Sequence, residues 1–239
     1  MAKANDDLPT EAERYVMPSH YVESDSLEVQ GFVTAALRDL SPDASKRDKA
    51  IRLFEAVRDG IRYDPYGFEL TENFYLASRI AEAKTSFCVP KAILLAACLR
   101  AVGIPAALGF ADVRNHLNTP ALRELMGTDV FIYHGYVQLW LDGEPYKVTP
   151  AFNMELCEKF GVKPLVFDGY HDALFHEFDE QEQRHMEYVN DRGLFVDAPI
   201  AEYLEIFKKT YPKLEEFSRV RVSKGASGYD SGFSTEAAS

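Results

Sequence analysis

The chain has 239 residues, a length that suits one large domain or one domain with an extension. It carries 26 basic against 38 acidic residues, and the net charge of −12 argues against nucleic acid or an anionic membrane as its main partner. Three cysteines without regular spacing do not form a disulfide framework, so we expect a reducing, cytoplasmic compartment.

The chain begins with a polar stretch, and we expect residues 1–20 to be flexible. This stretch lacks the apolar centre of a signal peptide, and no apolar run approaches the roughly 20 residues that span a bilayer.

Three helices are predicted next. The first runs through Leu27 to Leu40, and the second covers residues 43–59, where apolar side chains recur at the i, i+3, i+4 spacing of one buried face. The third covers residues 89–102 and is so apolar that it must be buried, and Gly103 ends it.

The pattern then changes from helices to strands. Residues 106–113 have the length and composition of a strand, and residues 114–130 are predicted to be a loop. A hairpin follows, with one strand from Phe131 to Leu141 and a return strand from Tyr146 to Thr149. Helices followed by antiparallel strands indicate an α+β domain.

The domain organisation that we predict is a core over residues 21–153, an extension over residues 154–223 that packs on it, and a disordered tail over residues 224–239. The tail is rich in serine, glycine and alanine.

Cys88 stands immediately before the buried helix, where Thr85 or Ser86 is a candidate cap. Unpaired backbone N–H groups and the positive end of the helix dipole favour a thiolate, which is the nucleophilic form of cysteine. Most buried cysteines are inert small hydrophobes, so a catalytic role for Cys88 also requires a nearby base.

His134 is the strongest candidate for that base, because it lies on the first strand of the hairpin. A four-residue turn at 142–145 would pair residue 138 with Thr149, whereas a two-residue turn at 142–143 would pair residue 136 with it. Either register places Thr149 on the face that carries His134. His116 is the rival base, but it falls in the predicted loop.

These residues resemble the transglutaminase-like superfamily, which includes bacterial cysteine proteases. The resemblance rests on a cysteine that starts a buried helix, on the segment Arg100-Ala101-Val102-Gly103-Ile104-Pro105-Ala106, and on the strand histidine His134. It covers roughly residues 45–153. It implies a papain-like core in which Cys88 is the nucleophile and His134 the base.

One position departs from the family pattern. The superfamily has an Asp-Pro pair about 15 positions after its histidine, and this chain has Thr149 followed by Pro150. A threonine hydroxyl can hydrogen-bond to imidazole, but it carries no charge to stabilise an imidazolium. Asn153 is the other candidate for orienting His134, because an amide does this in Cys-His-Asn enzymes.

The sequence therefore predicts a thiol hydrolase or acyltransferase that acts on amide bonds of a peptide or protein substrate and needs no cofactor. Two alternatives remain. The first is a non-catalytic binding protein with a degraded triad. The second is a metal-dependent hydrolase that uses the acidic segment around His171, His176 and His185.

Overall fold

The structure is a computed structural model that describes residues 12–115, 119–174, 186–223 and Phe233. Its α-helices are α1 (Leu27–Leu37), α2 (Lys46–Gly60), α3 (Ala77–Ala81), α4 (Cys88–Ala101), α5 (Pro120–Met126), α6 (Met154–Phe160), α7 (Ile200–Thr210) and α8 (Pro212–Ser223). Its strands are β1 (Arg62–Tyr63), β2 (Thr85–Ser86), β3 (Ala106–Asn115), β4 (Val130–Leu141), β5 (Glu144–Val148) and β6 (Met186–Phe195). Short 3-10 helices cover Ala12–Tyr15 and Glu72–Tyr75. Among these elements, no helix is long and apolar enough to cross a membrane.

Helix α4 is the central element of the fold. All residues from Cys88 to Arg100 are buried, and α1, α2, α3 and strand β4 pack around the helix. It ends as predicted, because Gly103 has φ of +70° and the Ile104 N–H donates to the Leu99 carbonyl at 3.0 Å. The predicted α+β class, with a buried helix on an antiparallel sheet, is confirmed.

The start of α4 differs from the predicted cap. Phe87 is the N-cap and makes no side-chain cap, whereas Thr85 and Ser86 form strand β2. That strand pairs in parallel with β1, and the Asp64 N–H donates to the Ser86 carbonyl at 2.8 Å. The backbone before Cys88 is therefore fixed by strand pairing, which a local capping signal does not reveal.

The main sheet has the order β5-β4-β3-β6, and its pairs are antiparallel. Val137 pairs with Val148, so the two-residue turn is the one that the hairpin adopts. Asp142 and Gly143 both have positive φ, of 54° and 87°, as a type I′ turn requires.

The segment after residue 153 takes part in this sheet, because β6 pairs with β3 along most of its length. The prediction of a continuous loop over residues 114–130 is wrong, because this segment contains helix α5. Thr119 accepts the Leu122 N–H at 3.2 Å and so caps α5, which Gly127 ends with φ of +70°. Residues that can break a helix also delimit a short one, and the loop prediction overlooked this.

Both chain ends contain packed residues. Within the stretch expected to be flexible, Tyr15 stacks on Trp140 with ring centroids 5.3 Å apart. Within the tail expected to be disordered, Phe233 is buried and packs edge-on against Tyr63 at 5.9 Å. Both contacts join aromatic rings that are distant in sequence, and composition alone does not predict them.

Candidate active site

Cys88 is the first residue of α4, and only 7% of its surface is exposed. Burial raises the pKa of its thiol to about 11, although the backbone N–H groups of Gly135, Val89 and Cys88 itself act to lower it. The donors that we expected at the helix start are therefore present. The expected thiolate is not, because burial outweighs these donors and keeps the thiol neutral at neutral pH.

Gly135 brings strand β4 directly onto the start of α4. A Cβ atom added to Gly135 would lie 3.0 Å from the Cys88 carbonyl oxygen and 3.1 Å from both the Val89 Cα and the Ala92 Cβ. Any side chain here would push the two backbones apart by a few tenths of an ångström, so glycine favours this approach, which places the residue next to His134 against Cys88. Sequence reasoning missed Gly135, although a glycine inside a predicted strand is a signal of close backbone approach.

His134 is buried, with 4% of its surface exposed, and burial lowers the pKa of its imidazole to about 4. The ring is therefore neutral at neutral pH and can accept a proton. Within the described part of the chain, the Cys88 sulfur and the His134 ring are not hydrogen-bonded to each other. The two residues are instead connected through the Gly135 amide, which donates to the Cys88 thiol.

The residue before His134 has an unusual backbone conformation. Tyr133 has φ of 54°, which costs free energy for any residue with a side chain. Its N–H donates to the Asp112 carboxylate at 3.0 Å, and its hydroxyl donates to Glu202 at 2.7 Å. The Arg192 guanidinium lies 4.1 Å from its ring centre and also binds Asp112. These contacts stabilise the strained backbone of Tyr133 next to His134.

Thr149 and Asn153, the two candidate orienting residues, are both buried. The Thr149 Oγ1 is buried and has no hydrogen-bond partner within the described part of the chain. The Asn153 Oδ1 accepts the Tyr63 N–H at 3.0 Å. Among the described residues, neither of these side chains forms a hydrogen bond with the His134 ring.

Lys91 is a charged residue within the apolar helix α4, one turn after Cys88. It is fully buried, and its Nζ donates to the carbonyl oxygens of Arg58, Ile61 and Ala151 at 2.9, 2.5 and 2.7 Å. Burial lowers the pKa of its ammonium to about 7. Lys91 thus joins the end of α2 to the segment that leads to Asn153. Sequence reasoning missed Lys91, although a lysine inside an apolar helix is a signal of a buried cation that needs partners.

An apolar pocket opens at Cys88 and gives the thiol a route to the outside. Its empty volume is about 490 Å³ including the mouth, and its walls come from α4, α5, β4, α7 and α8. The segment after residue 153 therefore borders the space next to Cys88.

The residues proposed for a metal site do not form one within the described part of the chain. The His171 Nδ1 and the Asp168 Oδ2 lie 2.7 Å apart on the surface. Three or more potential ligands do not cluster among the described residues. His176 and His185, as well as the rival base His116, lie outside the described residues.

Part of the chain is similar to known proteins. Residues 34–149 match the family model of the transglutaminase-like superfamily, a range that includes Cys88, His134 and Thr149. No curated protein matches the chain. A solved structure from Cytophaga hutchinsonii, described as a putative cysteine protease, is 19% identical with a TM-score of 0.46. That match covers 60% of this chain and 43% of the other, so this chain spans less than half the length of that protein.

Proposed function

We propose that this protein is a thiol-dependent hydrolase or acyltransferase acting on amide bonds of peptides or proteins, because residues 34–149 match the transglutaminase-like family model. The observation that carries the proposal is the contact of Gly135, the neighbour of His134, with Cys88 at the start of α4. The apolar pocket at Cys88 supports it, because a substrate needs a path to the sulfur.

We further propose residues 21–153 as the core and residues 154–223 as an extension that borders the site. A reducing compartment suits the three free cysteines.

In the proposed mechanism, the neutral His134 ring takes the proton of the Cys88 thiol as the sulfur attacks the amide carbonyl. The backbone N–H of Cys88 is the proposed donor to the oxyanion that forms. His134 then gives its proton to the leaving amine, and the carbon–nitrogen bond breaks to leave a thioester. Water or a second amine attacks the thioester carbonyl, loses a proton to His134, and the returning proton regenerates the thiol.

A neutral pair suits this sequence of steps. With a thiol pKa near 11 and an imidazole pKa near 4, proton transfer accompanies attack and does not precede it. We propose a Cys88–His134 dyad, because the Asn153 carbonyl oxygen already holds the Tyr63 N–H and the Thr149 hydroxyl is not bonded to the ring.

A second candidate function is a non-catalytic binding protein that keeps the fold. Two observations favour it. Threonine stands at position 149, where the superfamily has its aspartate, and no hydrogen bond within the described residues joins Cys88 to His134. In that case the apolar pocket would bind a ligand without reacting with it.

The two functions are separated by acyl transfer from p-nitrophenyl acetate, a small activated ester whose acetyl group has no side chain for the pocket to select. The proposed enzyme acquires an acetyl group at Cys88 that hydroxylamine removes, while Cys98 and Cys157 in the same molecules serve as internal controls. Burial raises the pKa of the Cys98 thiol, and mainly burial raises that of Cys157 to about 11, the same value as for Cys88, so Cys157 is a control of matched acidity. Acetylation of Cys88 no faster than that of Cys157 would favour the binding protein.

A further inference from the structure

The pocket beside Cys88 has walls from two parts of the chain. The segment after residue 153 supplies Tyr203 and Phe207 from α7 and Leu214 from α8. The transglutaminase-like core supplies the opposite side, including Phe68, Phe87 and Phe131. A concave site lined mainly by apolar and aromatic side chains, as this one is, is typical of pockets that hold small organic groups.

The chemistry of the walls is almost entirely apolar. None of the described residues that line the pocket is charged, and its side-chain polar atoms are three tyrosine hydroxyls and the Cys88 sulfur. One of these hydroxyls, on Tyr211, already accepts the Ile132 N–H at 2.8 Å and donates to the Val130 carbonyl at 2.7 Å. A carboxylate or amide placed here would lose water and find few partners, which costs about 1–3 kcal/mol or more.

The walls are also fixed relative to the candidate catalytic residues. Tyr211 fastens the junction of α7 and α8 to the start of β4 through its two hydrogen bonds. The Tyr133 hydroxyl donates to the Glu202 Oε1 at 2.7 Å, and this hydrogen bond joins the first turn of α7 to the residue before His134. The pocket therefore keeps a constant position next to Cys88, as a site that selects a substrate requires.

Resting on the proposed function, we propose that the acyl donor carries a large apolar side chain, such as that of leucine, methionine or phenylalanine, which fills this pocket. Glutamine and glutamate side chains are rejected, because their polar groups would be buried among rings and aliphatic carbons. The extension thus determines which amide bond the core attacks.

The experiment uses the full chain and a series of blocked aminoacyl vinyl sulfones that alkylate a cysteine. The series carries norleucine, glutamine, glutamate or phenylalanine, and the first three side chains are nearly the same size. We expect the second-order rate of Cys88 labelling for norleucine and phenylalanine to exceed that for glutamine by about 10-fold or more. Equal rates, or a preference for glutamine or glutamate, would overturn the inference.

The outcome also distinguishes failure of this inference from failure of the proposed function. If p-nitrophenyl acetate acetylates Cys88 but no apolar vinyl sulfone is preferred, the enzyme stands and the apolar substrate does not. If neither reagent reacts at Cys88 faster than at Cys157, both proposals fail.

A matched pair of substitutions tests the pocket wall. Leu214→Ala enlarges the pocket, so we expect the ratio of phenylalanine to norleucine labelling to rise roughly 3-fold. Leu204→Ala makes the same change at a buried position of α7 that does not line the pocket, and it should leave the ratio unchanged. Unfolding of either variant is monitored by circular dichroism, and the wild-type series decides the question if Leu214→Ala does not fold. Equal ratios in two folded variants would contradict the assignment of this wall.

Discussion

Gly135→Ala is the substitution that tests most sharply how the sheet holds the candidate site together. The new Cβ would lie 3.0 Å from the Cys88 carbonyl oxygen and 3.1 Å from the Val89 Cα, and neither backbone atom can rotate away. Strand β4 must therefore move away from α4. Overpacking of this kind costs about 1–3 kcal/mol of the free energy of unfolding. The movement also stretches the Gly135 N–H contact with the thiol and displaces His134.

The contacts of 3.0–3.1 Å require a shift of only a few tenths of an ångström. Because a misplacement of 1 Å can cost about 100-fold, we expect Cys88 acetylation by p-nitrophenyl acetate to fall about 3-fold or more. Urea unfolding measures the stability of the same variant. The matched control is Gly31→Ala on the exposed face of α1, where an added Cβ meets nothing within 4 Å. This control should gain about 0.5–1 kcal/mol and keep full reactivity. If Gly135→Ala keeps wild-type stability and reactivity, the close contact of β4 with α4 is not what positions His134.

Three further predictions concern buried polar groups. Lys91→Met leaves three buried carbonyl oxygens without their donor, so urea unfolding should show that the free energy of unfolding falls by about 3 kcal/mol. The control Lys208→Met, on the exposed face of α7, should change it by less than about 0.5 kcal/mol. Equal losses in the two variants would show that the carbonyl contacts are not stabilising. Folding lowers the pKa of His134 from 6.5 to about 4, so between pH 6.5 and pH 4 the imidazole binds a proton only in the unfolded chain. The free energy of unfolding of the wild type should therefore drop by about 3 kcal/mol as the pH falls through that interval. His134→Gln should lack this part of the drop, and an unchanged pH profile would contradict a buried neutral ring. Thr149→Val removes a buried hydroxyl that has no hydrogen-bond partner among the described residues, so the free energy of unfolding should stay the same or rise by up to about 1 kcal/mol, and acetylation should keep the wild-type rate. A large loss of rate in the folded variant would make Thr149 a positioning residue.

Local signals in the sequence were sufficient for the elements that carry the candidate site. The apolar run after Cys88 and the Gly103 signal predicted a buried helix and its end. The sequence left open whether the hairpin turn has two or four residues, and the structure adopts the two-residue turn, in which Asp142 and Gly143 both have positive φ. The α+β class follows from the order of these elements, and the structure confirms it.

What the sequence could not predict depends on packing between distant segments. The protonation of Cys88 is set by how completely other elements cover it, including α7 and α8, which begin more than 100 positions later. The environment of Lys91 is set by two carbonyl groups at the end of α2 and one from the segment between β5 and α6. Neither depends on the residues next to it in sequence, so helix-dipole reasoning alone gave the wrong thiol state.

The most direct test of the central claim is whether His134 activates Cys88. Wild type and His134→Gln are treated with iodoacetamide at neutral pH, and the alkylation rates of Cys88 and Cys157 are followed separately by mass spectrometry. Glutamine keeps much of the volume of histidine but accepts no proton in this range. We predict that the substitution slows Cys88 alkylation about 100-fold or more while the Cys157 rate stays constant. If the Cys88 rate is the same in both proteins, the imidazole is not its base, and the enzymatic account is contradicted.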